Sequence, residues 1–372
     1  MVLFYLLKRL RNKLHSINVN RKLKVLHSWG TGRTFKLPEE ICIELTRRCN
    51  LRCSMCYQQH NQIRAEDELS LEEIKNIFDK LKLITINLVG GEIFIRKDIL
   101  DILNYFAERG IVIQNLTTNA TLINEENALH LARLIKARVI RNISLSFDGK
   151  GETHDIIRRA NDAFKRAFNG AERLLTSLNA LGINTDKCVH INSVISKTNV
   201  KSFDECLDVA KELGIKNVVF NHLIYNTAED LNKSAEMTGN PELGLFDTCS
   251  EEQSIQLEEF PLLLSTWQKA LRKAGKLGIN MHSRPVSKLE HIKDYYRHDY
   301  NPRGVCTYPF FICRINSDGT VPFCLLMQHK MGNIRNESLI SIWNNTEFKR
   351  MRKKLLSGIY PVCKRCCKLV TY

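Results

Sequence analysis

Cys49, Cys53 and Cys56, in the run Cys49-Asn50-Leu51-Arg52-Cys53-Ser54-Met55-Cys56, are the residues of this 372-residue chain best placed to do chemistry. Four thiolates ordinarily close a 4Fe-4S cube. Three with no fourth nearby leave one iron open to an exchangeable ligand, whereas a structural zinc site would favour paired Cys-x-x-Cys knuckles. A second set lies near the other end: Cys306, Cys313, Cys324, Cys363, Cys366 and Cys367, again at metal-like spacings. With nine of the thirteen cysteines in these two sets, the chain reads as a metal-binding protein of the reducing cytoplasm, not a disulfide-stapled secreted domain. Cys42, Cys188, Cys206 and Cys249 stand apart and read as buried structural thiols.

The elements that must position these groups follow from periodicity. From about residue 40, short apolar runs rich in β-branched residues alternate with helix-like stretches, the pattern of repeated βα units. Strands are predicted at Ile41–Leu45, Ile84–Val89, Val112–Thr117, Ile143–Phe147, Val189–Val194 and Val218–Phe220. Six such strands make an α/β fold of the partial parallel (β/α)6 TIM-like barrel kind. A helix is predicted over Ser70–Leu81, opened by a capping box of Ser70 and Glu73. Parallel barrels carry their sites at the carboxyl ends of the strands, and Cys49 to Cys56 follow the first strand. Residues 226–300 read as a connecting helical segment without clear period up to about 260, then a helix at Phe260–Leu277. Residues 301–372 read as a small cysteine-rich domain with a turn at Asp318-Gly319 and a basic helix near Leu339–Leu356. No internal repeat is evident.

The cysteine spacing, with further stations in order over residues 38–225, closely resembles the radical S-adenosylmethionine enzymes. Gly90-Gly91-Glu92 follows the second strand, where the family's turn meets the amino group of S-adenosylmethionine; Ile93 replaces the usual proline. Thr117-Thr118-Asn119-Ala120 ends the third strand, with Ala120 where the family has glycine. Ser144-Leu145-Ser146-Phe147-Asp148-Gly149 ends the fourth, followed by His154, Asp155 and Arg158, similar to relatives in which a serine and an arginine hold the ribose and the methionine carboxylate. An arginine fork suits a carboxylate. Met55 stands where an aromatic usually packs near the adenine. The resemblance therefore implies a 4Fe-4S cluster on Cys49, Cys53 and Cys56, with S-adenosylmethionine held by Met55, Gly90, Gly91, Glu92, Asn119, Ser146, Asp148 and Arg158. Its reductive cleavage would give a 5′-deoxyadenosyl radical that takes hydrogen from substrate. The cofactor supplies the hard step and the protein positions it.

The tail resembles the SPASM and twitch auxiliary-cluster extensions: Cys306, twelve residues, Gly319, four residues and Cys324, then Cys363-Lys364-Arg365-Cys366. Met331-Gly332-Asn333-Ile334, Ile342-Trp343-Asn344 and Pro361 add to the match. The resemblance implies a second 4Fe-4S cluster on Cys306, Cys324, Cys363 and Cys366, with Cys313 and Cys367 as substitutes; a zinc ribbon is the competing reading of the same thiols. One auxiliary cluster is expected, since the further cysteines of a full SPASM domain are not in this sequence. Its expected role is to accept an electron from the substrate radical, making the reaction an oxidation.

Three functions compete. The first is an oxidoreductase acting on a small molecule, a sugar or a lipid-linked precursor. The second is a peptide or protein maturase; against it, residues 1–40 are short for a leader-binding winged helix, and Leu325 follows Cys324 where sulfatase maturases carry an aspartate. The third is a non-catalytic metal-binding protein. His222 and Tyr225, ending the sixth strand, point toward the substrate face, and Tyr295, Tyr296, His298 and Tyr300 with Arg297 form either a recognition loop or packing.

The formal charge of +15 includes nine cations before the first acid, Glu39. With Leu3, Leu7, Leu10, Leu14 and Ile17 at helical steps, residues 1–37 read as a basic amphipathic extension that lies on an acidic membrane surface or packs on the barrel. The short apolar start has neither signal-peptide flanks nor the length to span a bilayer. The expected setting is cytoplasmic or peripheral at a membrane. The expected partner is an electron donor such as flavodoxin or ferredoxin, and no nucleic acid is expected because aromatics do not interleave the basic runs.

Overall fold

Alternation between the two faces of each strand organises the molecule. In the computed structural model, which describes residues 31–34, 37–58, 63–81, 85–239, 249, 251–286 and 289–371, all six predicted strands form. They are β1 (Glu40–Glu44), β2 (Thr85–Val89), β3 (Val112–Thr118), β4 (Ile143–Ser146), β5 (Val189–Ile195) and β6 (Asn217–His222). The sheet then gains a seventh, β7 (Asn280–Arg284). The tail supplies β8 (Gly304–Cys306), β9 (Ile312–Ile315), β10 (Thr320–Pro322), β11 (Lys330–Asn333) and β12 (Leu369–Thr371). The main sheet has eight strands in the order β7-β6-β5-β4-β3-β2-β1-β9, all pairs parallel, so the barrel is open between β7 and β9.

The six expected strands form the centre of the sheet, and β7 and β9 extend it at its two edges. β7 escapes the periodicity because Asn280-Met281-His282-Ser283-Arg284 alternates exposed and half-buried positions with no β-branched run. β9 is only four residues long and lies among the tail cysteines.

One face of the sheet is apolar and covered by helices. Ile41, Ile43, Ile86, Leu88, Ile113, Leu116, Ile143, Leu145, Ile191, Val218 and Phe220 are all fully buried there. Removing such side chains from water is the main favourable term in folding. The helix Leu71–Phe78 opens with the predicted capping box: Ser70 N–H donates to Glu73 Oε2 at 2.8 Å and Glu73 N–H to Ser70 Oγ at 3.2 Å. The helix Phe260–Leu277 has the bounds read from the sequence and ends at Gly278, whose φ of 62° is the left-handed stop that glycine tolerates.

Two helical expectations change. Ala228–Thr238, in the stretch without a clear period, is a helix capped by Thr227, and its Asp230 meets Lys364 at 2.7 Å and Arg365 at 3.3 Å. The basic helix near Leu339–Leu356 is two, Leu339–Trp343 and Thr346–Ser357, because Asn345 leaves the helix to cap Phe348 N–H. The buried Arg352 guanidinium lies 4.2 Å above the ring of buried Trp343, which locks the two pieces together. The predicted amphipathic segment over residues 1–17 lies outside the described residues.

Candidate active site and cluster ligands

The carboxyl ends of β1 to β6 converge on a cavity of about 350 Å³. Cys49, Cys53 and Cys56 all line it, on the loop after β1. Main-chain bonds fix that loop to the helix Glu152–Arg158: Ser54 N–H donates to the Ile157 carbonyl at 2.8 Å and Arg52 N–H to the Arg158 carbonyl at 3.4 Å. Leu51, Cys53 and Ala163 form a small apolar cluster under it, with Met55 and Ala160 packed alongside.

Gly90 and Gly91 let the β2 end zip against this loop. Gly91 N–H donates to the Thr46 carbonyl at 2.8 Å and Glu92 N–H to the Arg48 carbonyl at 2.9 Å. A Cβ on Gly91 would lie 2.2 Å from the Arg48 carbonyl oxygen, and one on Gly90 2.5 Å from that of Thr46. The glycines are therefore required first for a backbone-to-backbone approach.

Glu92 is placed differently from the expectation. It lies beneath the cavity, fully buried, taking Asn119 N–H at 2.6 Å, the Thr118 hydroxyl at 2.8 Å and Phe94 N–H at 3.3 Å. It holds the β3 end, and with it Asn119, which does face the cavity. Ala120 adopts φ 64°, the left-handed conformation that the family's glycine takes without strain. Met55, Gly90, Gly91, Asn119, Ser146, Asp148 and Arg158 all line the cavity with the three cysteines, so seven of the eight expected cofactor contacts share one cavity.

Burial raises the Glu92 carboxyl to about 6, against the hydrogen bonds that oppose it. The fold thus favours the protonated form. That contribution is fully present below about pH 4.5 and is lost as pH rises through about 6, a change on the order of 2 kcal/mol. Glu92→Gln is expected to flatten this window. Urea unfolding of the iron-free chain between pH 4.5 and 6.5 checks it, and parallel wild-type and variant curves would contradict it.

Arg158 is the main electrostatic feature of the cavity. Its Nη2 meets Asp148 Oδ2 at 2.6 Å and its Nη1 lies 3.6 Å from Cys53 Sγ, while Nε has no partner in the structure. Burial works against its charge, yet Asp148 and Cys53 hold its pKa above the ordinary arginine value. Asp148 also accepts Val194 N–H at 2.8 Å, tying β4 to β5. At the same sulfurs, Leu51 N–H lies 3.4 Å and Asn119 Nδ2 3.9 Å from Cys49 Sγ. Three thiols on one wall, with N–H donors aimed at two of them, suit a three-thiolate cluster site. Arg158 Nε, unpaired and buried, leaves a donor for an anionic group.

Cys249 is the buried structural thiol that the sequence suggests, in a place that the sequence does not show. It lines the same cavity and its thiol donates to the Met55 carbonyl at 2.8 Å. Burial, with Cys56 nearby, pushes it up to about 12, so it remains a protonated buttress of the cysteine loop. Of the residues ending β6, His222 lines the cavity, with Nδ1 2.8 Å from the Tyr296 hydroxyl, and burial pushes it down to about 3, so it is neutral. Tyr225 and the tyrosines at 295 and 296 pack instead: Arg365 sits 4.4 Å over the Tyr225 ring, and the Tyr295 hydroxyl donates to the Leu223 carbonyl at 2.8 Å.

In the tail, β8 pairs with β12, setting Cys306 opposite Leu369 and next to Cys366 and Cys367 in space. Burial first, then Cys324 and Cys367, raises Cys306 to about 12; Cys363 is raised by burial, Cys306 and Cys324. A hydrogen bond between the Cys366 and Cys367 side chains holds Cys367 down and pushes Cys366 up. Cys324, Cys363, Cys366 and Cys367 are thus all neighbours of Cys306. Cys313 is not among them. It lies opposite Ile41 on the apolar face of β9, with Arg352 and the Cys42 thiol as neighbours, which removes it as a substitute ligand. Cys367 lines the catalytic cavity together with Leu325 and Leu326, so the tail forms part of its wall. Among the described residues no three His, Cys, Asp or Glu side chains converge as ligands of a single metal ion.

Residues 43–185 match the family model of the radical SAM superfamily, and residues 306–367 that of the SPASM iron-sulfur cluster-binding domain. The chain is 32% identical over 341 residues to the mycofactocin maturase MftC of Mycobacterium tuberculosis, covering 88% of this chain and 76% of that protein. It is 29% identical over 346 residues to the Fe-coproporphyrin III synthase of Methanosarcina barkeri, covering 87% and 79%. Its fold matches Streptococcus suis SuiB, in a crystal structure bound to the precursor peptide SuiA, with a TM-score of 0.57, 17% identity, and coverage of 94% and 74%. The chain belongs to the radical SAM superfamily and carries a SPASM domain after the catalytic barrel. Membership brings a 4Fe-4S cluster and S-adenosylmethionine to the barrel and further iron-sulfur chemistry to the tail. No described helix is long and apolar enough to cross a membrane.

Proposed function

We propose that the chain is an oxidative maturase acting on a peptide, reduced by a flavodoxin or ferredoxin. The observation that carries this reading is the 32% identity to a maturase over 88% of the chain. The small-molecule oxidoreductase is the second reading, supported by the relatives named for Fe-coproporphyrin III and for heme synthesis. When bound, the cluster and S-adenosylmethionine supply a radical that abstracts hydrogen. The chain's residues do the rest. Cys49, Cys53 and Cys56 hold the cluster, and Arg158 offers its Nε to the methionine carboxylate while Asp148 keeps the guanidinium in place. Asn119, Ser146, Gly90 and Gly91 shape the remaining wall. Cys306, Cys324, Cys363 and Cys366 would hold the auxiliary cluster beside that wall, and the group would supply an electron acceptor there.

Anaerobic turnover tests the proposal, using S-adenosylmethionine, a reductant and each short peptide encoded beside this chain's gene. One peptide is expected to raise 5′-deoxyadenosine formation above the substrate-free rate and to emerge oxidised by mass spectrometry. A rise with iron-coproporphyrin III and with no peptide would replace this reading by the second.

A further inference from the structure

Below the catalytic cavity, on the same polar face of the sheet, lies a trough of about 530 Å³. Thr117 and Asn192 line both spaces, so the two meet at the middle of the barrel. In a closed parallel barrel this interior is filled by layers of branched apolar side chains. Here the inward positions are Asn87 on β2, Asn115 on β3, Ser144 on β4, His190 and Asn192 on β5, and Asn221 on β6. They form cross-strand hydrogen bonds: Ser144 Oγ to Asn115 Oδ1 at 3.0 Å, Ser144 Oγ with His190 Nε2 at 2.6 Å, and Asn221 Nδ2 to Asn192 Oδ1 at 2.8 Å. A surface so built is made to be wet or to hold a polar ligand.

Its charge is one-sided. Lys187, Arg284 and Lys368 line the trough, joined by His282, against the single carboxylate of Asp186 among the described residues. Glu40 stands at the start of β1, bonded to Asn87 Nδ2. Register explains the gathering: β7 pairs with β6 so that His282 lies opposite Val219 and Arg284 opposite Asn221, both on the inward face. Burial first, then Arg284 and His282, pushes His190 down to about 4, which leaves it neutral among cations. Arg284 and Lys368 are exposed into this space, and Lys368 follows Cys367, which lines the catalytic cavity above.

We propose that this trough is an anion subsite: a substrate whose reacting carbon occupies the catalytic cavity extends past Thr117 and Asn192 and places a carboxylate between Arg284 and Lys368. The arginine fork matches a carboxylate in two parallel hydrogen bonds, and the inward asparagines serve the polar stem that leads to it. The subsite does not depend on which substrate is correct. It rests on the peptide reading only in taking that carboxylate to be a peptide C-terminus; a porphyrin propionate carries the same chemistry.

The test is calorimetric titration of the reconstituted full chain with citrate, wild type against the double variant Arg284→Gln/Lys368→Gln and against Arg284→Lys. Both side chains are exposed, and iron content and circular dichroism check that the variants fold. Citrate is expected to bind the wild type and to lose roughly tenfold or more in affinity in the double variant, with Arg284→Lys, which keeps the charge but loses the fork, falling between the two. Equal affinity in wild type and double variant, or no binding to wild type, overturns the subsite. Two further probes name the source. A peptide substrate as free acid is expected to bind more tightly than its C-terminal amide in the wild type and equally in the double variant. If instead iron-coproporphyrin III binding alone depends on Arg284 and Lys368, the subsite stands and the peptide reading fails.

Discussion

Replacing Cys49, Cys53 and Cys56 together by alanine is expected to remove about four of about eight irons per chain and to abolish 5′-deoxyadenosine formation. The three thiols face one cavity, and the tail thiols form a separate set of neighbours. Loss of the first set therefore leaves the second cluster in place. The converse pair, Cys306→Ala with Cys324→Ala, is expected to lose the other four irons or so while S-adenosylmethionine cleavage persists and product formation fails. Iron and sulfide analysis after anaerobic reconstitution, with chromatography of 5′-deoxyadenosine, reads both. Four irons plus bound zinc in the wild type would make the tail structural and end its role as electron acceptor. Unchanged product from the tail variant would end that role while keeping the cluster.

The cysteine triad and the stations after β2, β3 and β4 were legible because each is local: a spacing, a glycine pair, a strand end. The six central strands were legible because their apolar face repeats at period two over β-branched residues. What escaped was set by partners far away in sequence. β7 has little apolar signal of its own and exists because β6 offers it an unpaired edge. The helix Ala228–Thr238 is polar on most sides and is held by Lys364 and Arg365, more than 130 positions away. The motif alone makes Glu92 a cofactor contact. Its burial under Asn119 depends on how the β2 and β3 ends meet, which no spacing reveals. Cys249 looked isolated because its partner, the Met55 carbonyl, lies 194 positions upstream.

Glu44 shows the same effect with the largest energetic consequence. At the end of β1, Glu44 closes the run Ile41-Cys42-Ile43 and has no local reason to be there. In the folded chain it is fully buried and accepts from five donors: Arg314, Arg47 Nε at 2.6 Å, Gln58 Nε2 at 2.7 Å, Ser317 Oγ at 3.1 Å and Ser317 N–H at 3.4 Å. Arg314, on β9, is equally buried and donates from Nε to Asn316 Oδ1 at 2.8 Å. One carboxylate thus ties the strand before the cysteine triad, the residues flanking that triad and the strand contributed by the tail. Removing one partner of a buried pair leaves the other charged and unpaired, which costs about 3–5 kcal/mol. Glu44→Ala is expected to lose that much stability to denaturant and to incorporate less iron in both clusters, because Arg47 and Gln58 hold one cysteine loop and Arg314 anchors the other domain. Glu44→Leu combined with Arg314→Met is expected to recover much of the stability, since it removes the stranded charge. It is not expected to recover the iron of the catalytic site, because Arg47 and Gln58 still lack their acceptor. A loss below about 1 kcal/mol in Glu44→Ala, the range of an exposed pair, would show that the two charges are solvated and that the domains are held together by apolar packing alone.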